Sequence, residues 1–158
     1  RAGGQARLMA SPRTPTLATL SPDFVQRAGA APSFRGVQWQ AGPMVDVTTL
    51  DALVAQHGVP DFVKIDVEGF ELEVLGGLSQ PVAALSFEFL PAMRDVALGC
   101  IDRLEALAGQ GRYRYAVSLS ERLSLLQAQG ATADALRAWL VAMPPDGPSG
   151  DVHAWLTQ

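Results

Sequence analysis

The stretch FVKIDVEGFELEVLGG, Phe62–Gly77, decides how the rest of the chain is read. It sets Lys64, the only lysine in 158 residues, inside an apolar run and adds Asp66 and Glu68 before Gly69. Side chains along a strand alternate between faces, so Val63, Ile65 and Val67 share one face while Lys64, Asp66 and Glu68 share the other. Three ionisable groups on one face of a covered strand persist only if they are paired or reach the end of the sheet. The apolar neighbours place Lys64 inside the sheet. Gly69 places Glu68 at the strand's carboxyl end, where open α/β sheets bind their ligands.

The next apolar run repeats the arrangement. VAALSFEFL, Val82–Leu90, reads as a second strand stopped by Pro91, with Ser86 and Glu88 on one face and Leu85, Phe87 and Phe89 on the other. If the two strands are parallel neighbours, Asp66, Glu68 and Glu88 converge on one rim with Lys64 beneath them. Clustered carboxylates hold a divalent cation, take a substrate ammonium, or act as a general base with a raised pKa. The plain alternative is a structural ion pair between Lys64 and one carboxylate, and the residues alone leave both readings open.

Around these strands the pattern keeps alternating. Met44–Val47 reads as a short strand. Thr48 and Asp51 then open a helix carrying Leu50, Leu53 and Val54, which ends at Gly58. FELEVLGGL predicts a short helix with Leu72, Leu75 and Leu78 inward, and Glu71 suits its positive N-terminus. MRDVALGCIDRLEALAG predicts an amphipathic helix that buries Cys100 among Val96, Leu104 and Leu107. RYRYAVSLS reads as a strand, TADALRAWLVAM as a helix capped by Thr132, and DVHAWL as a last strand. Such alternation predicts an α/β sheet, parallel where helices form the crossovers. The reading is one domain over 1–158, with a loop-rich lead-in at 1–42 and alternating strands and helices at 43–158. The lead-in holds a short strand at Ala6–Ala10 and a Ser- and Thr-rich loop at Ser11–Ser21, read as surface.

Composition bounds the rest. Apolar residues make up 48% and charged residues 18%, which marks a globular chain. A net charge of −4 argues against a nucleic-acid partner held by a basic surface. No run is long enough to span a membrane and no secretory leader is visible, so the expected location is cytoplasmic. One cysteine rules out an internal disulfide, and with only two distant histidines no zinc site is expected.

VDVTTLDALVAQHGVPDFVKIDVEGFELEVLGGL resembles the signature of the FkbM family of S-adenosylmethionine-dependent methyltransferases. Asp61, Lys64, Ile65, Asp66, Val67, Glu68, Gly69, Glu71, Val74, Leu75 and Gly77 fall on its D-x-x-K-I-D-V-E-G-x-E-x-x-V-L-x-G pattern, and LSFEF resembles the strand that follows. The resemblance spans roughly Val45 to Phe89. It implies a class I methyltransferase (Rossmann-like) sheet, mostly parallel with an antiparallel final strand, S-adenosylmethionine as cofactor, and methyl transfer to a hydroxyl. Asp66 then sits where such enzymes touch the methionine end of the cofactor or the acceptor. Asp66, Glu68 and Glu88 are the catalytic candidates, with Lys64 as a structural ion-pair partner. A divalent cation is compatible with this set but not required by it.

The family's glycine-rich cofactor loop has no counterpart here. The chain therefore reads as the C-terminal part of a methyltransferase, inactive alone, with the remainder of the cofactor site upstream. The acceptor expected is a small molecule or sugar, and an oligomer stays open. Two other functions remain in view. One is a non-catalytic α/β module that kept the Lys–carboxylate pairing. The other, with less support, is a metal-dependent exonuclease built on Asp-x-Glu.

Overall fold

The computed structural model describes residues 3–28, 34, 36–120 and 124–157. They form two sheets. Strands β1 (Gly4–Ser11), β2 (Thr14–Thr19) and β3 (Gln40–Val47) make an antiparallel sheet in the order β2-β1-β3. Strands β4 (Val63–Ile65), β5 (Ala84–Phe89), β6 (Tyr113–Leu119), β7 (Leu125–Ala131) and β8 (Gly150–Leu156) make the second, in the order β4-β5-β8-β6-β7.

The α/β class stands, but the sheet is mixed rather than mostly parallel. Only β4 and β5 pair in parallel, while β5–β8, β8–β6 and β6–β7 are antiparallel pairs. The reason lies in the connections. Helix α3 (Glu71–Gly76) and helix α4 (Arg94–Ala108) carry the chain back across the sheet, so β4, β5 and β6 all point the same way. β8 then enters between β5 and β6 in the opposite direction, and a short link joins β6 to β7 as a hairpin.

All three helices after β4 cover one face of this sheet. Ile65, Leu85, Phe87, Tyr115, Val117 and Val152 point into a core closed by Leu75 and Leu78 near α3. Cys100, Ile101 and Leu104 of α4 and Leu136 and Leu140 of α5 (Ala133–Ala142) complete it. Two buried tyrosines keep hydrogen bonds there, Tyr113 Oη to the Val82 carbonyl at 2.7 Å and Tyr115 Oη to Glu105 Oε1 at 2.7 Å. Thr132 caps α5 by accepting the Ala135 N–H at 3.2 Å.

The lead-in differs from its reading. The loop read over Ser11–Ser21 contains strand β2, and α1 (Pro22–Ala28) follows it. Its Ser, Thr and Pro content points to turns, and TPTLAT lacks the strict apolar–polar alternation that marks a strand. Met44–Val47 is the end of β3 and belongs to this small sheet rather than the large one. Helix α2 (Leu50–His57) is capped by Thr49, not Thr48, whose hydroxyl accepts the Ala52 N–H at 3.1 Å. Asp51 instead accepts the Ser79 N–H at 2.8 Å. A second, smaller core ties α1 to the turn at Pro91–Met93: Phe24 packs edge-on against Phe34 at 5.3 Å and against Trp39 at 5.8 Å, with Met93 beside it.

Candidate functional site

β4 is only three residues long, ends at Ile65, and is an edge strand of its sheet. Lys64 is therefore not enclosed: its side chain is 45% exposed. The alternation argued from the sequence also stops at Ile65, because the chain turns. Glu68 adopts a left-handed backbone (φ 51°) and Gly69 follows it with φ 82°. This turn, not strand geometry, aims Glu68 back toward β5.

The result brings the three carboxylates together. An oxygen of each of Asp66, Glu68 and Glu88 lies within 4.8 Å of the others, at the carboxyl ends of the parallel pair β4 and β5. Asp66 is exposed, whereas Glu68 and Glu88 are partly buried. Burial first, then the Asp66 and Glu71 charges, pushes the Glu68 carboxyl up to about 7. Burial again, followed by repulsion from Glu68, Asp66, Glu71 and Asp151, pushes Glu88 up to about 8. Near neutral pH the cluster thus holds protons that ordinary carboxylates have already lost, and such groups exchange a proton readily with a bound hydroxyl.

Lys64 forms an ion pair with Asp151 on β8 and lies 3.7 Å from Asp66. Burial works against its charge, but the Asp151 hydrogen bond and the surrounding carboxylates win and raise its pKa. Beside Asp151 on β8, His153 shares a 3.0 Å hydrogen bond with Ser118. Burial, reinforced by Lys64, lowers the His153 pKa and favours its neutral form.

Glu71 lies in the first turn of α3, as its sequence position suggests, and does more than face the helix N-terminus. It is 2% exposed, and its Oε1 accepts the N–H groups of Gly69 at 3.1 Å and Val67 at 3.4 Å. From the other side, Thr19 Oγ1 donates to the Glu68 carbonyl at 2.7 Å. A cavity of about 880 Å³ opens beside Asp66, between the antiparallel sheet and α3. Val67, Phe70, Val74, Leu50 and Leu53 line it, together with Gly4, Leu8 and Leu20. Its volume is in the range of small-molecule sites.

Asp151, Thr19 and the burial of Glu71 escaped the sequence reading. Asp151 meets Lys64 across 87 residues and Thr19 meets Glu68 across 49, so no local pattern marks them. For Glu71 a signal existed: its spacing of two from Gly69 fits a side chain folding back onto a turn.

No helix among the described residues is long and apolar enough to cross a membrane. A search among curated proteins finds no match. The methyltransferase FkbM domain model matches residues 11–116, more than half of the chain, and the chain therefore belongs to the FkbM methyltransferase family.

Proposed function

We propose that this chain serves S-adenosylmethionine-dependent O-methylation of a hydroxyl on a small molecule or sugar, on a class I methyltransferase sheet. Asp66, Glu68 and Glu88 are the catalytic groups, Glu68 or Glu88 receiving the acceptor's proton and Asp66 orienting the acceptor. One observation carries the reading: three carboxylates, two of them with raised pKa, meet where the parallel strands β4 and β5 end.

The residues present fit the cofactor's chemistry. S-adenosylmethionine is cationic at its sulfonium and its ammonium, and this corner of the molecule is acidic. Asp66 belongs to the carboxylate cluster and also borders the 880 Å³ cavity, whose walls are largely apolar. Asp66, Val67 and Phe70 would hold the cofactor on this side. When bound, it supplies a methyl group activated by the positive sulfur.

The chain's residues then have three tasks. Glu68 or Glu88, ionised as pH passes through about 7 to 8, accepts the hydroxyl proton as the oxygen becomes nucleophilic. Asp66 orients the acceptor along the line of transfer, where small displacements are costly in rate. Lys64, tethered by Asp151, limits the repulsion among the carboxylates.

Asp66→Asn in the full-length protein should reduce methyl transfer by about 10²- to 10⁴-fold while leaving thermal melting unchanged. Isotope-labelled methyl incorporation from S-adenosylmethionine measures the first and circular dichroism the second. Full activity in that variant would sink the assignment.

A further inference from the structure

We propose that Thr19 and Glu71, with Phe24 behind them, are positioning residues that clamp one peptide unit, Glu68–Gly69, and thereby keep the Glu68 carboxylate against Asp66 and Glu88. The inference rests on the proposed role of that cluster in deprotonating the acceptor.

The clamp follows from which atoms are held. The Glu68 carbonyl and the Gly69 N–H belong to the same planar peptide. Thr19 Oγ1 donates to that carbonyl at 2.7 Å, and Glu71 Oε1 accepts that N–H at 3.1 Å. A flip of this peptide, the easiest way to release Glu68, would break both bonds at once. Both holders are themselves fixed, at 1% exposure for Thr19 and 2% for Glu71.

The Thr19 hydroxyl also accepts the Ser21 N–H at 2.9 Å, and Ser21 Oγ accepts the Phe24 N–H at 3.0 Å. This chain of bonds seats the Phe24 ring on Gly69. A Cβ at that glycine would lie 2.4 Å from Phe24 Cδ2. The lead-in therefore closes over the turn with no room left for it to rearrange.

Such a hold is needed because Glu68 is in an unfavourable place. A glutamate at φ 51° is uncommon and persists only where its surroundings over-determine it. Its carboxyl is partly buried and faces Asp66, Glu71 and Glu88, all acidic. Left free, the side chain would swing into water. Thr19 lies 49 positions upstream, on the sheet whose cavity wall Asp66 shares, so the clamp makes the lead-in a working part of the site.

Carboxyl ¹³C NMR of the full-length protein, with labelled glutamate titrated between about pH 5 and 9, reads the Glu68 position without any acceptor. Glu68→Gln identifies the resonance by removing it. In Thr19→Val the Glu68 midpoint should fall from about 7 by about one unit or more, toward the ordinary carboxylate range. Thr19→Ser, which keeps the hydroxyl, should titrate like the wild type. Should Thr19→Val fail to fold, Thr19→Ala carries the same expectation. An unchanged midpoint in the variant lacking the hydroxyl overturns the clamp, as does an equal shift in Thr19→Ser. A wild-type Glu68 that titrates in the ordinary range is a separate result, and it overturns the reading of the carboxylate cluster itself.

Discussion

The two faces of the five-stranded sheet are built from the same strands and do opposite work. On one face Leu85, Phe87 and Phe89 of β5 lie under α4, all at 2% exposure or less. On the other, Ser86 and Glu88 alternate with them and sit beside His153 and Asp151 of β8, with Lys64 next to Ser86. The covered face lowers the free energy of the fold through burial of apolar area. The polar face holds Glu88, with Glu68 reaching it from the turn after β4, and burial beside other carboxylates disfavours the charged form of both. One face supplies stability and the other uses some of it to hold these carboxylates together.

Substitutions at adjacent positions can break this contrast. Phe87→Ala, on the covered face, should cost about 3–5 kcal/mol in denaturant unfolding, because a fully buried ring leaves a cavity under α4. Gly69→Ala comes next. Its new methyl group would meet Phe24 at 2.4 Å with the backbone at φ 82°, so about 2–4 kcal/mol of stability should be lost. A loss below about 0.5 kcal/mol would mean that α1 yields easily and that the turn is less tightly held than its contacts imply.

Glu88 offers the opposite sign. Its folded pKa, about 8, lies above the ordinary value of 4.5. The stability linked to its proton is therefore complete below the ordinary carboxylate range and is lost as pH rises toward about 8. Glu88→Gln should flatten that decline, matching the wild type near pH 5 and melting higher near pH 9, which thermal scans across pH would show. The smallest effect is expected at Asp151→Asn. Lys64 is about half exposed and keeps Asp66 nearby, so losing the Asp151 pair should change stability by less than about 1 kcal/mol. The same variant tests the polar face: a change in the pH dependence of methyl transfer with stability intact would show Asp151 tuning the cluster through Lys64.

Much of the covered face was legible in the sequence because its signals are periodic. Leu85, Phe87 and Phe89 alternate along β5, and Cys100 and Leu104 recur along α4 at helical spacing; all are buried. The grouping of Asp66, Glu68 and Glu88 was also legible, though for a partly mistaken reason. Strand alternation was extended through Glu68, whereas β4 stops at Ile65 and a left-handed turn completes the approach. The lead-in was least legible. Its strands are paired with one another by long-range hydrogen bonds, and its Ser, Thr and Pro content points as readily to loops.

The sequence by itself determined the α/β class, the core residues of β5 and α4, and family membership through Lys64, Asp66, Glu68 and Gly69. These depend on local period and on residue type, which a linear string carries in full. Only the tertiary structure decided that β8 enters between β5 and β6, that Asp151 is the ion partner of Lys64, and that Thr19 and Glu71 grip one peptide from two sides. Pairings across tens of residues arise from the closure of the whole chain, where many weak preferences are settled together, and no short window of sequence contains them.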